Sequence, residues 1–455
     1  MTKINAAISA LNPKDSSRLI RPRDADYDSA RTVMSGAFDF HPALIARVKS
    51  PRTIAEILST ARQNGVEIAI RSGGHSSAGH SGVDGGIVID LRDMNGIEID
   101  TATRTVWVGT GATAGELTEA TTAHGLIVGF GDTASVGIGG ITLGGGMGYL
   151  SRLHGLTIDA LLAAEVVLAD GRVVIADKDN EPELFWAIRG GGGNFGVATR
   201  FRFQLTELPA FTGGMMCLPA TPETVAGFIA AATAAPEALS TIANVMPAPP
   251  MPFLPEAVHG KLVILAMLAY AGEDAAAEAA LAPFRTLATP YADFVKAGPY
   301  MTTMYPPEDP DYHPLAVMQS LYMNRVGLAE ATEIVDRLTN CDAAFRVAQI
   351  RVLGGAIARV APDATAYAHR SAPILTNIAA FYTSEDDKAK QQGWVTAFAS
   401  AVTQEETGAY VNFLGNEPDR IGAAYPTATL TRLRQAKRKY DPENVFSRNQ
   451  NIVPG

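Results

Sequence analysis

One segment limits the possible folds more than any other: Arg71 to Ser81, RSGGHSSAGHS, sets His75 inside a glycine-rich turn directly after the apolar run VEIAIRS. Glycines at 73, 74 and 79 let the main chain adopt positive φ and approach a ligand closely. Their amides, with the hydroxyls of Ser72 and Ser76, form a surface able to face phosphate oxygens. His75, and His80 five residues on, then lie beside whatever the loop holds. On its own the segment also fits a glycine turn carrying a surface histidine.

The neighbouring elements have local causes. Ser50 caps a helix that begins at Pro51, carries Ile54, Ile57, Leu58 and Ala61 on one face and ends at Gly65. After the histidine loop come two short strand-like runs, GIVIDL and VWVGTG, then a helix opened by a Thr113–Glu116 capping box and ended near Gly125. AAEVVLADGRVVIA reads as a hairpin turning at Asp170-Gly171, followed by a helix over 183–188 and a strand to Leu205. Beyond Pro209 the texture changes. KLVILAMLAY, FRVAQIRVL and ILTNIAAFY have strand character, with alanine-rich helical stretches between them. PAPPMPFLP and MYPPEDPDYHP exclude regular structure and read either as lips of a cavity or as connecting loops. The expectation is an α+β chain: a first domain over 1–208, a second over 209–403 with an antiparallel sheet covered by helices on one side, and a segment 404–455.

Several functions are disfavoured. The 455 residues carry a net charge of −10 with no long basic stripe, which argues against nucleic acid and anionic membranes. The basic cluster Arg432, Arg434, Lys437, Arg438 and Lys439 reads as the solvated face of a helix. Cys217 and Cys341 lack paired spacing, and His75 and His80 lack a third ligand, so neither a disulfide framework nor a metal site is expected. Gly191 to Gly196 matches GxGxxG, but it follows a helical stretch and precedes a strand, the reverse of a dinucleotide-binding turn. GxxxxGK[ST], HExxH and GxSxG are absent. The N-terminal stretch reads as a first helix and not a signal peptide, and no run approaches a membrane span, so a cytoplasmic location is expected.

The histidine loop resembles the R-x-G-G-H-x-x-x-G flavin-attachment loop of vanillyl-alcohol-oxidase-type flavoproteins, specifically the berberine-bridge-enzyme-like branch. Three further segments resemble that family in its own order: Gly129 to Asp159, Pro182 to Leu205, and YVNF at Tyr410 with KYDPENVFSRNQNI at Lys439. The resemblance implies a two-lobed PCMH-type FAD-binding domain plus a substrate domain, with residues 404–455 returning to the first. It implies FAD bound covalently through His75, and cofactor contacts from Arg71, Ser72, Gly73, Gly74, Ser76, Gly79 and His80. Thr133, Ser135, Val136, Gly137, Gly139, Gly140 and Gly144 would contribute from the second loop, and Gly196, Val197, Tyr410, Asn412 and Asn449 from the later segments.

Two departures from the family pattern matter. Many members have a second flavin-linking cysteine where this chain has Thr133, so a single link is expected. Plant members have a tyrosine after the glycine triplet where this chain has Met147, which leaves Tyr410 as first candidate for a polar catalytic group, unless it only packs on the ring. Tyr305, Tyr312, Tyr322, Tyr367 and Tyr382 are candidates for the cavity wall. Val136 occupies the position that, in this family, meets oxygen. The implied activity is oxidation of a carbon bearing hydroxyl or amine in an alkaloid, aromatic natural product or sugar, with electrons passed to oxygen as hydrogen peroxide. A dehydrogenase using another acceptor and a flavin-bearing sensor are the rivals. A homodimer is the default assembly.

Overall fold

The structure, a computed structural model, describes residues 3–405, 408–415 and 417–455. Its first sheet has the strand order Arg18–Ile20, Leu44–Arg47, Ile87–Asp90, Ile68–Arg71, and the last three strands are parallel. The helix Pro51–Asn64 crosses from Leu44–Arg47 to Ile68–Arg71, the two strands that flank Ile87–Asp90 in parallel. Its start and stop are those the sequence dictates. The Ser50 hydroxyl accepts from Thr53 N at 3.3 Å, Pro51 occupies the first turn, and Gly65 closes the end at φ +60°. Ile54, Ile57 and Leu58 are fully buried against the sheet, each contributing roughly 1.5–3 kcal/mol of apolar burial.

The second sheet is antiparallel, in the order Ile97–Asp100, Thr105–Gly109, Val197–Gln204, Leu161–Val167, Val173–Asp177. The last two strands form the expected hairpin, with Gly171 at φ +88°. The helix Ala114–Thr122 packs beneath it and has both hydrogen bonds of its capping box, Glu116 N to Thr113 Oγ1 at 3.2 Å and Thr113 N to Glu116 Oε2 at 2.8 Å. Ala409, Val411, Leu414, Leu433, Tyr440 and Ile452 share this core with Val106, Phe201 and Phe203, so the C-terminal segment is built into the second sheet's interior.

Residues 211–381 supply an antiparallel sheet whose main strands run Phe211–Pro219, Leu262–Ala271, Leu239–Pro247, Arg346–Val352, Ile374–Phe381, Ala316–Met323. The helices Pro222–Ala234, Asp274–Arg285, Leu328–Thr339 and Glu385–Val402 contribute to the core on one face. Strand alternation sends Ala243 and Val245 to those helices and Ile242 to the opposite face. There Ile242, Ala269 and Ala271 meet Ile127, Tyr149 and Leu150 of the glycine-loop region.

The helix Thr427–Tyr440 corrects one expectation. Arg434, Arg438 and Lys439 are exposed, but Lys437 is completely buried. Its ammonium donates to Asp441 Oδ2 (2.6 Å), Asn194 O (2.8 Å) and Phe446 O (2.9 Å). A charge can be buried here because three acceptors replace water.

Candidate functional site

The strand Ile68–Arg71 delivers the chain to the histidine loop, with Gly74 and Gly79 at φ +79° and +73°. Arg71 is buried, and its guanidinium donates to the carbonyls of Ser81 (3.2 Å), Arg31 (3.2 Å) and Ala30. It fastens the base of the loop and leaves the ligand-facing surface to its neighbours. The loop lies directly against the second glycine loop: a Cβ on Gly73 would overlap the backbone of Gly137, and one on Gly137 would overlap Gly73. Ser72 joins them, donating to Thr110 O at 2.6 Å and accepting from Gly139 N at 3.2 Å.

At this crossing His75 Nε2 lies 3.1 Å from Ser135 Oγ. Ser135 is held in turn by Glu308, whose carboxylate accepts from Ser135 N at 3.1 Å and from its hydroxyl. Burial holds the His75 imidazolium below the usual histidine range against the opposing pull of Glu308, so the neutral ring is favoured. Burial, with the Arg448 charge, takes His80 down to about 4. Ser76 Oγ accepts from His80 N at 3.2 Å, and Ser76 O accepts from Gly79 N at 3.2 Å.

Among the described residues, the amides of Gly74, His75, Ser76 and Ser77 donate to no protein acceptor. The buried hydroxyls of Ser77, Ser81 and Thr142 and the side-chain oxygens of Asn449 and Asn451 also lack protein partners. Buried polar groups need partners. Unpaired amides in a glycine turn, with hydroxyls and carboxamides around them, fit the phosphates and ribose of a dinucleotide.

The C-terminal segment completes the site. The carboxamide of Asn412 occupies the space a Cβ on Gly144 would need, and its Nδ2 donates to Ile141 O (3.1 Å) and to Tyr410 OH (3.0 Å). Tyr410 OH also accepts from Gly146 N at 3.0 Å. Burial raises the Tyr410 phenol above its ordinary value; the Gly146 amide, Asn412 and the charge of Arg351 oppose the rise. Tyr367 meets the Tyr410 ring edge-on at 6.0 Å and shares a 2.8 Å hydroxyl contact with Tyr322. Met147 packs in the same cluster.

Asn449 Nδ2 donates to Gly193 O at 3.2 Å, tying the segment to the 191–196 turn. That turn follows the helix Pro182–Ala187 and enters the strand Val197–Gln204, the order that excludes a dinucleotide-binding turn there. Gly196 fits tightly against Val166, and Val197 is buried in the core beneath the first sheet. Thr133 and Val136 are half-buried on the second loop, the carbonyl of Val136 accepting from Ala114 N at 2.8 Å, and Gly140 is exposed on the short helix that follows. Of the other tyrosines, Tyr305 donates to Gly131 O at 3.3 Å, Tyr312 is exposed, and Tyr382 packs against the sheet-covering helices.

Sequence reasoning missed two groups. One is Glu308, hidden in a proline-rich stretch. The other is Arg351, whose guanidinium donates to Asp132 Oδ2 at 2.5 Å and lies 5.4 Å over the Phe413 ring. Arg351 helps line a cleft with Met147, Tyr149, Ile242, Leu353 and Ile357. Neither has a local motif; strand alternation places Arg351 opposite Ile350, which faces the helices.

Residues 42–177 match the family described as FAD binding domain, and residues 409–453 match the one described as berberine and berberine like. The chain is an FAD-linked oxidoreductase. It is 30% identical to (R)-6-hydroxynicotine oxidase of Paenarthrobacter nicotinovorans over 96% of both chains. It is also 30% identical to a xylooligosaccharide oxidase of Thermothelomyces thermophilus over 91% of this chain and 88% of that one. The crystal structure of 6-hydroxy-D-nicotine oxidase from Arthrobacter nicotinovorans superposes with a TM-score of 0.85 at 27% identity, covering 97% of this chain and 98% of that one. This chain therefore belongs to the berberine-bridge-enzyme-like family.

Proposed function

We propose that the chain is an oxidase that holds FAD by one covalent bond, through His75, and oxidises a carbon bearing hydroxyl or amine in a compact alkaloid or aromatic substrate. The observation that carries the reading is the neutral, half-buried His75 ring at the crossing of two glycine loops with unpaired amides beside it. A second link would need a thiol. The only two cysteines in the chain are buried in the sheet domain, Cys217 among Ala248, Leu254 and Val258 and Cys341 beside Gln391, and Thr133 stands in the second loop.

A flavin held by these loops would supply the hydride acceptor and the route for both electrons to oxygen, with hydrogen peroxide as the product. The chain's own residues do the rest. The Tyr410 hydroxyl accepts from Gly146 N and Asn412 Nδ2, and burial holds its phenol above the ordinary value, so it is the protonated polar group that orients the substrate hydroxyl or amine beside the cleft. Met147, Tyr149, Ile242, Leu353 and Ile357 line the adjoining cleft together with Ser151, Arg152, Ser240, Thr241 and Arg351, apolar walls set with polar groups able to fix a substrate's orientation. The preference for a compact aromatic body rests on the likeness to 6-hydroxynicotine oxidase.

Acid precipitation of purified protein tests the attachment: flavin is expected in the wild-type pellet and, for His75→Ala, in the supernatant. A wild-type pellet without flavin ends the reading. A screen of aromatic amines and alcohols for anaerobic bleaching and peroxide release tests the activity, and bleaching without peroxide would favour a dehydrogenase.

A further inference from the structure

The segment 304–314 is pinned at both ends over the flavin loops. Tyr305 OH donates to Gly131 O at 3.3 Å. At the other end Gly36 N donates to Pro314 O at 3.1 Å, and His313 Nδ1 is 3.3 Å from Met34 O. Between these anchors the exposed Glu308 reaches Ser135. Proton accounting along the chain Glu308, Ser135, His75 has one solution. An ionised carboxylate only accepts, so the single Ser135 hydroxyl proton goes to Glu308. The Ser135 oxygen must then accept from His75, which places the imidazole proton on Nε2. Nδ1 then carries the lone pair of the neutral ring.

We infer that Ser135 and Glu308 are positioning residues for the covalent attachment of FAD, holding His75 in the tautomer whose Nδ1 is the nucleophile. The inference rests on the proposed His75 linkage. In the attachment Nδ1 forms a bond to the 8α carbon while one 8α C–H bond and the His75 Nε2–H bond break. Both protons are released, the second through the Ser135 hydroxyl to the Glu308 carboxylate. The two electrons stay on the flavin ring and are taken by oxygen, which with two protons leaves as hydrogen peroxide.

The test uses full-length apoprotein mixed with FAD, following flavin in the acid pellet with time alongside non-covalent binding by absorbance. Glu308→Gln is expected to bind FAD as the wild type does, and in both Glu308→Gln and Ser135→Ala the FAD that is bound is expected to attach at least about tenfold more slowly, a barrier increase of about 1.4 kcal/mol. Glu308→Asp keeps the charge and restores most of the rate, a rescue that a merely structural role would not produce. Wild-type attachment kinetics in Glu308→Gln would overturn the relay while leaving the His75 linkage standing. Equal loss of FAD binding in Glu308→Gln and Glu308→Asp would also overturn it, by assigning Glu308 to holding the cofactor. A flavin-free wild-type pellet would remove the linkage itself.

Discussion

Replacing Lys437 by Met tests how the C-terminal segment is locked to the flavin-binding half. Methionine preserves most of the side-chain volume and removes the ammonium. It leaves Asp441, itself fully buried, with the amides of Val445 (2.8 Å) and Phe446 (2.9 Å) as its remaining donors among the described residues, and it strips a donor from the carbonyls of Asn194 and Phe446. Removing one partner of a buried ion pair costs about 3–5 kcal/mol, mostly from the charge left behind. For a cooperative unit of roughly 250 residues, at about 2 °C per kcal/mol, the melting temperature should fall by about 6–10 °C. If the stranded charge is the cause, adding Asp441→Asn should recover part of the loss, because it removes the charge while the amide oxygen keeps one of the two backbone donors, which reach different carboxylate oxygens. Differential scanning calorimetry, read beside the temperature at which flavin fluorescence appears, measures both variants. A single variant that melts within about 2 °C of wild type, or a double variant no better than the single, would refute the reasoning.

Val136→Leu should slow reoxidation of the reduced flavin by oxygen at least about tenfold, near 1.4 kcal/mol, while leaving flavin reduction by substrate nearly unchanged. Stopped-flow measurement of both half-reactions checks this, and an equal drop in both would mark Val136 as an overpacked core position instead. Burial keeps His80 neutral with a folded-state value of about 4 against 6.5 for the free side chain. The unfolded chain therefore binds the extra proton first, and stability should fall as pH drops from about 6.5 toward 4, by an amount on the order of 3 kcal/mol from this group. His80→Gln should flatten that part of a urea-denaturation pH series.

Much of the flavin half could be read directly from the chain because its causes are local. Ser50, Pro51 and Gly65 bound one helix, Thr113 and Glu116 start another, and Gly171 turns a hairpin, all within a few residues of the structure they determine. The strand Phe211–Pro219 was obscured by Gly213 and Gly214, whose missing side chains admit the neighbouring carbonyls of Leu268 and Phe294 and interrupt the alternating pattern. The edge strands Arg18–Ile20 and Ile97–Asp100 are short and half solvated, so periodicity has little to register. At the candidate site, the glycine loops announced themselves by composition. The burial of Lys437, the seat of Arg351 and the reach of Glu308 each depend on partners 170 to 250 residues away or on the packing of a sheet, and no local pattern encodes them.

The seating of Asn412 on Gly144 and of Asn449 on Gly193 has a consequence in time as well as in space. On a ribosome the two glycine loops emerge well before their C-terminal partners, separated from them by the whole antiparallel sheet. Until residues 409–452 follow, the core of the second sheet lacks Leu414, Leu433, Tyr440 and Ile452 and exposes apolar surface where they will pack. Flavin capture by these loops is thus expected to await a segment made some 270 residues after the second of them.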